Sequence, residues 1–269
     1  MAAVTSESLA SLRSDLAEQI ASAGLTVADE LFAALDVIDG SAGLRRALTD
    51  PAREPAGRAS VVRSLFGSKA QQTTVGMLEA VVSRRWSSDR DLGDAVENLA
   101  VDVVAAQAER GGLQGLEELE GALLGFRRTV AESHELQRAL TDRQAPAEAK
   151  QRLAARLSPS VSAEARLLID RAVTQPRGLR PSALIEKFAT AVAARQQRWI
   201  AQVTTAKELD STTREKLSAS LDRYFGRELK LDVVVDPSVV GGIRVQVGDE
   251  VVDGTVAARL SSLQRTLAG

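Results

Sequence analysis

The spacing of apolar residues constrains the fold of this chain more than any other feature of its sequence. Up to about Arg198, apolar residues recur every three or four positions, as in amphipathic α-helices. Turn or cap chemistry interrupts this period at Gly24, Asp50-Pro51, Gly67, Gly111-Gly112, Pro159 and Pro176. The pattern predicts bundles of packed helices separated at these breaks.

A short segment occurs twice within the helical part of the chain. Leu44–Asp50 and Leu136–Asp142 share six of seven residues at an offset of 92 positions. The same offset aligns Val81 with Val173 and Leu92 with Leu184, so the apolar register also repeats. We therefore predict an internal duplication of one helical module, with a first copy over 1–109 and a second over 110–198.

The period changes after Arg198, where apolar and polar residues alternate as they do in strands. Alternating runs cover Trp199–Thr205, Leu229–Val235 and Ile243–Val247. Helical spacing returns from Leu217 to Phe225, with Ser211 or Thr212 as the expected N-cap, and from Val256 to Leu267. The predicted fold is therefore α+β and predominantly α-helical, with two tandem helical-bundle modules followed by a small β-α-β-β-α domain over 199–269.

Composition excludes several classes of function. The chain has no cysteine, which rules out disulfides and thiolate chemistry, and its single histidine, His134, has no histidine companion for a metal site or a catalytic set. We expect His134 to be a surface or capping residue, and we predict neither an enzyme nor a cofactor. The net charge of −2 gives no broad basic field for nucleic acid, and no apolar run is long enough to span a membrane. The first 20 residues carry Glu7, Asp15 and Glu18, which argues against a secretory signal.

The most specific motif lies between Val235 and Leu260. It contains, in order, Asp236-Pro237, Gly241-Gly242, Gly248-Asp249 and Asp253-Gly254-Thr255-Val256. Proline ends a strand, paired glycines permit a bend, and Gly-Asp permits a tight reversal. Asp253 or Thr255 is placed to cap the last helix. We interpret all of these residues as determinants of the fold rather than as a binding site.

This order of motifs resembles the C-terminal signature of the ATP synthase delta subunit family, called the oligomycin-sensitivity-conferring protein in mitochondria. The resemblance covers about Ile200 to Leu267. The second helical module is also similar to the N-terminal bundle of that family, through Leu167–Val173 and Leu184–Phe188. Typical members have one such module, so two modules resemble the long, actinobacterial type.

The resemblance implies a non-catalytic stator subunit of a proton-translocating F-type ATP synthase, present in one copy per complex. It implies that a helical module binds the N-terminal helices of the alpha subunits, while the C-terminal domain contacts the b-type peripheral stalk. It also implies a peripheral position on the cytoplasmic face of the bacterial cell membrane, with the membrane reached only through the complex. No nucleic acid and no cofactor are expected.

The first and last helices of a module are the expected lining of a groove for alpha-subunit segments. In the first copy the candidate partner-binding residues are Leu9, Leu12, Leu16, Val96, Leu99 and Val103. The alternative is that these side chains only fill the core of the bundle. Two other functional classes stay open: a helical scaffold or adaptor protein unrelated to ATP synthase, and a nucleic-acid-binding regulator that uses Arg84-Arg85 and Arg177–Arg180.

Overall fold

The computed structural model describes residues 2–226, 228–237, 239, 241–248 and 250–254. The chain divides into two compact units, of which the first ends at Val192 and the second begins at Ala193. The predicted first module, 1–109, lies in the first unit, and the boundary between the units falls near the end of the predicted second module, 110–198. The fold is α+β and mostly helical, as the apolar periodicity predicts.

Twelve helices are assigned in the described residues before the first strand. They are α1 (Ala2–Asp15), α2 (Ala17–Ser22), α3 (Leu25–Gly40), α4 (Ala42–Thr49), α5 (Pro55–Phe66), α6 (Gln72–Ser83), α7 (Asp89–Glu109), α8 (Gly112–Ala131), α9 (His134–Thr141), α10 (Ala147–Leu157), α11 (Ala163–Thr174) and α12 (Pro181–Gln196). Every break predicted from glycine, proline or aspartate coincides with a helix end, because these residues terminate helices or stand just outside them.

Helices α4 and α9 begin and end at positions that are 92 residues apart. Their N-caps are Ser41 and Ser133, whose side chains accept hydrogen bonds from Leu44 N at 3.2 Å and Leu136 N at 3.3 Å. Just after each helix, Asp50 Oδ1 and Asp142 Oδ1 accept a hydrogen bond from the backbone two residues on, both at 2.9 Å. The shared sequence segment thus forms the same capped helix and turn twice.

Helix α7 is the central element of the first unit. It packs against α2, α3, α4, α6, α8 and α11. Apart from Glu97, its buried side chains are small or aliphatic, so neighbouring helices can approach it from several sides. Ser88 caps its N-terminus by accepting a hydrogen bond from Asp91 N at 3.2 Å.

The second unit contains a short 3₁₀ turn (Gln197–Trp199), strand β1 (Ile200–Thr205), helix α13 (Ser211–Phe225) and strands β2 (Lys230–Val235), β3 (Ile243–Val247) and β4 (Glu250–Asp253). The strand order in the sheet is β2-β1-β3-β4. Strand β1 runs parallel to β2 and antiparallel to β3, and β4 is antiparallel to β3. One face of the sheet and α13 enclose a small core that includes Ala201, Val203, Leu221, Val245 and Val247.

Two details of this unit differ from the sequence prediction. Strand β4 is not predicted, because its four residues are too few to establish a period of two. The N-cap of α13 is Asp210 rather than Ser211 or Thr212: its carboxylate accepts hydrogen bonds from Thr213 N at 2.8 Å and Thr213 Oγ1 at 2.7 Å. A carboxylate at this position also interacts favourably with the helix dipole. The predicted helix from Val256 to Leu267 lies outside the described residues.

Candidate partner-binding surfaces

The N-terminal helices are attached to α7 by polar contacts as well as by apolar packing. Arg13 makes two bonds to the Asp102 carboxylate, at 2.6 Å and 3.1 Å. Arg110, which follows α7, donates to the carbonyl oxygens of residues 21–23 at 3.0 to 3.2 Å and so satisfies the C-terminus of α2. These bonds fix the position of α1 and α2 along α7.

The six candidate partner-binding residues come together where α1 and α7 meet. The structure buries five of them, and only Leu9 is half-exposed: Leu12, Leu16, Val96, Leu99 and Val103 are at most 5% exposed. Side chains with so little accessible surface contribute to the bundle core. A partner could reach these five only after α1 moved away from α7, so the burial favours the core interpretation over an open groove.

An open cleft of about 960 Å³ lies in the predicted second helical module. It lies between the end of α8, helix α9, and the loop that joins α11 to α12. Its apolar lining comes from Val130, Leu140 and Leu179. Its polar lining is basic and includes Arg138, Arg143, Lys150 and Arg180. We call this feature the basic cleft.

His134 is the first residue of α9, is exposed, and lines the basic cleft. Trp86 is half-buried and donates its indole N–H to the carbonyl oxygen of Val81 at 2.9 Å. The position of His134 agrees with the expected surface residue, and Trp86 packs at the end of α6.

Beside the basic cleft, Arg177 joins the two helical modules through a cluster of acidic residues. Its Nε lies 2.6 Å from Asp39 Oδ2, and its Nη1 lies 2.6 Å from Asp94 Oδ1 and 3.6 Å from Glu97 Oε2. Glu97 is almost fully buried and also pairs with Lys187 at 2.7 Å. Burial alone would lower the pKa of Arg177, but its hydrogen bonds and charge interactions with Asp39, Glu97 and Asp94 raise that pKa overall.

A second buried arginine connects the modules near Arg177. Arg171, on α11, donates to Asp36 on α3 at 2.6 Å, and its guanidinium lies 5.0 Å from the centre of the Phe32 ring. The sequence analysis does not single out Arg171, and it names Arg177 only as part of the Arg177–Arg180 segment in the nucleic-acid alternative. Asp36 lies 135 residues from Arg171, while Asp39 and Asp94 lie 138 and 83 residues from Arg177, so no local pattern indicates the pairs.

Within the second unit, the structure brings together three glycines from two parts of the C-terminal motif. Gly241, Gly242 and Gly254 line an apolar cleft of about 670 Å³ between the sheet and α13. Gly241 and Gly242 have φ of 79° and 82°, which non-glycine residues rarely adopt. Gly254 N donates to Ile243 O at 2.9 Å, and a side chain at this position would meet that same oxygen.

The remaining motif residues form turns. Asp236 N donates to Thr205 O at 2.8 Å, and Pro237 follows where β2 has ended. Gly248 has φ of 57° at the turn after β3, and Asp253 is the last residue of β4. Asp249, Thr255 and Val256 lie outside the described residues. These placements agree with a structural role for the motif.

The described residues contain neither a candidate metal-binding group nor a candidate membrane-spanning helix. Within residues 2–226, 228–237, 239, 241–248 and 250–254, no group of three or more histidine and acidic side chains could hold a metal ion. In the same part of the chain, no helix combines the length and apolar character that crossing a bilayer requires.

Comparison with known proteins connects these features to one family. The model of the ATP synthase delta (OSCP) subunit family matches residues 103–267, which include the second helical module and the C-terminal unit. A protein of Pseudarthrobacter chlorophenolicus named ATP synthase subunit delta is 50% identical, and the match covers 100% of both chains. A protein of the same name from Renibacterium salmoninarum is 49% identical, and the match covers 100% of both chains. The one from Streptomyces avermitilis is 40% identical, over 90% of this chain and 88% of its own. The chain belongs to the ATP synthase delta (OSCP) family, in a long form that is shared with relatives from actinobacteria.

Proposed function

We propose that this chain is the non-catalytic stator subunit that joins the catalytic head of an F-type ATP synthase to its peripheral stalk. The observation that carries the proposal is the match to delta subunits along the entire length of the chain. A protein in this position needs stable docking surfaces, and the described residues contain extensive helical packing for that purpose.

The mechanical task explains why one chain would carry several docking surfaces. Rotation of the central rotor exerts a torque on the head, and the stator must resist it without dissociating. When one surface of a chain is bound, a second surface binds as an effectively intramolecular step, at a high effective concentration. A chain with separate helical and α+β units can therefore hold both the head and the stalk with modest individual contacts.

For the partners, we propose that the helical part binds N-terminal helices of the alpha subunits and that the C-terminal domain binds the b-type stalk subunits. One copy serves each complex at the cytoplasmic face of the bacterial cell membrane, and nucleic acid has no part in this function. Amphipathic helices suit such contacts, because apolar anchors provide affinity while a charged rim fixes the register.

The proposed boundaries are 1–109 and 110–198 for two copies of the helical module and 199–269 for the C-terminal domain. Support for a duplication comes from the matching bounds of α4 and α9 and from their equivalent serine caps. The family model begins at residue 103, so the second copy corresponds to the bundle common to the family. On this proposal, the first copy enlarges the surface available to the head or stalk.

A reconstitution experiment tests the proposed function. Membranes that contain the bacterium's own ATP synthase but lack this chain would receive the purified full-length protein, and ATP-driven proton pumping would be measured. We expect added protein to restore pumping in a saturable manner, because head and stalk become joined. Saturating addition without any gain in pumping, although the intact complex pumps in the same assay, would contradict the proposal.

A further inference from the structure

The basic cleft carries positive charges that are not used in contacts within the described fold. Arg138, Arg143, Lys150 and Arg180 line it, and no aspartate or glutamate belongs to its described lining. Among the described residues, none of these four side chains forms an ion pair or hydrogen bond. The whole chain has a net charge of −2, so this concentration of cations does not reflect the overall composition.

The apolar lining of the cleft adds a second requirement for its occupant. Val130, Leu140 and Leu179 contribute to the lining, and Leu179 is 41% exposed. Val130 and Leu140 are almost fully buried, at 4% and 1% exposed, so a free inorganic anion would neutralise the cations but would leave Leu179 in contact with water. A volume of about 960 Å³ is at the upper end of the range for small-ligand pockets, and is enough for several residues of a peptide.

The equivalent place in the first helical module is occupied by the protein's own side chains. At the 92-residue offset, Arg58 corresponds to Lys150, and its buried guanidinium donates to Asp50 O at 3.2 Å and Ser83 O at 3.3 Å. This bridge connects the end of α4 to the end of α6. No corresponding bond is formed by Lys150 within the described residues.

Other positions around the cleft also differ between the modules. Trp86 of the first module corresponds to Gly178, which lines the basic cleft and has φ of 84°. At the rim, Pro51 and Ser88 correspond to Arg143 and Arg180. The second module therefore replaces a bulky side chain with glycine and adds two cations at the rim, although the helical frame is the same.

From this geometry we infer that the basic cleft is a docking site for an acidic, amphipathic peptide segment of another subunit of the complex. Carboxylates of the segment pair with the arginines and lysine at the rim, while an apolar side chain of the segment covers Leu179. The inference rests on the proposed function, because it deepens that function by assigning one partner contact to the second module.

Charge reversal within the cleft tests the inference in the full-length protein. The variant Arg138→Glu/Arg180→Glu would be compared with Arg152→Glu/Arg156→Glu, which changes net charge equally at exposed α10 positions outside the cleft. Binding to ATP synthase that lacks this chain would be titrated at two salt concentrations. We expect at least tenfold weaker binding and a smaller salt dependence for the cleft variant, and less than a twofold change for the control.

The competing outcomes are distinguishable. Equal affinities for the wild type and both variants overturn the docking site but leave the stator function intact, whereas absence of wild-type binding overturns both. Thermal unfolding checks that each variant is folded. If the reversal variant is unfolded, Arg138→Gln/Arg180→Gln replaces it, and the same tenfold loss of affinity is expected. Competition by millimolar inorganic phosphate, or cleft-dependent binding to phosphatidylglycerol vesicles, would identify a small anion or a membrane as the occupant and overturn the peptide assignment.

Site-specific photo-crosslinking identifies the segment. A benzoylphenylalanine at Leu179 reports from inside the cleft, and one at Leu65, exposed on α5, serves as a control position in the predicted first module. We expect the Leu179 probe to attach to one peptide rich in aspartate and glutamate from a single ATP synthase subunit. Attachment to a peptide without acidic residues, or no attachment in the assembled complex, would overturn the assignment.

Discussion

At the scale of single residues, Arg177 shows how one side chain connects the two helical modules. It is only 11% exposed and contacts three carboxylates that lie on α3 and α7. Its backbone has φ of 49°, an uncommon conformation for a residue other than glycine. The surrounding ion pairs hold the residue there, so the link between modules depends on this arginine.

Replacement of Arg177 by methionine tests this role. The variant leaves buried Glu97 with Lys187 as its remaining cation, and removal of one partner of a buried ion pair costs about 3 kcal/mol. Urea unfolding measures the loss in the free energy of unfolding. Arg152→Met, on the exposed surface of α10, should change that free energy by less than about 0.5 kcal/mol. A loss below 1 kcal/mol for Arg177→Met would refute the assigned role.

Gly93 provides a second test of the same cluster without a change in charge. A methyl group on Gly93 would overlap Arg177 Nη2 and approach Asp39 Oδ1 at 3.2 Å. Alanine normally stabilises a helix by about 1 kcal/mol relative to glycine. We therefore expect Gly93→Ala to lower thermal stability and Gly76→Ala, in open space on α6, to raise it. Stabilisation by both substitutions would show that the arginine cluster has room to adjust.

Asp170 makes stability depend on pH. Burial raises the pKa of its carboxyl above the usual value, against a smaller lowering by Arg166. A carboxyl whose pKa is higher in the folded state contributes stability below its unfolded pKa, and loses that contribution as pH rises through its folded pKa. At pH 7 we expect Asp170→Asn to be more stable than the parent, with a difference that narrows as pH falls toward 4. Denaturant unfolding across this pH range measures the difference in stability, with exposed Asp29→Asn as control. A difference between Asp170→Asn and the parent that stayed constant with pH would reject the raised pKa of Asp170.

At the scale of elements, the contact between α1 and α7 decides between two interpretations of the candidate partner-binding residues. Leu99 is 1% exposed, so its replacement by alanine should cost about 3 kcal/mol of unfolding free energy. Leu9 is half-exposed, and Leu9→Ala should cost less than half as much. Both free energies come from urea titration, together with binding to the head. If Leu99→Ala weakened head binding and left stability unchanged, the groove interpretation would replace the core one.

The helical elements follow closely from the sequence, whereas their long-range contacts do not. Helix ends at Gly24, Gly67 and Pro176 reflect local backbone preferences that a sequence displays directly. The pairing of Arg177 with Asp39 depends on tertiary packing across many turns of helix. The cap at Asp210 was missed because three adjacent residues are all good N-caps, and only the geometry selects one.

The candidate surfaces also show that long-range contacts do not follow from sequence patterns. Residues at a helical period on α1 and α7 can line either a core or a groove, and periodicity does not distinguish the two. The basic cleft was not predicted, because Arg138, Arg143 and Arg180 are spread over three segments of the chain. The one available signal was the loss of bulk between Trp86 and Gly178 at the repeat offset.

At the scale of the whole molecule, family membership and architecture lead to the same account. The family model matches residues 103–267, and the actinobacterial relatives match the chain over its full length. A stator subunit needs separate surfaces for head and stalk rather than a reactive centre. The central claim is therefore that this chain is physically attached to both parts of the ATP synthase.

Affinity purification of the tagged chain from gently solubilised membranes, with partners identified by mass spectrometry, tests that claim most directly. The account predicts recovery of alpha, beta and b-type stalk subunits in constant proportion to the bait. Absence of these subunits, with the bait intact and the ATP synthase present in the same extract, would contradict the account.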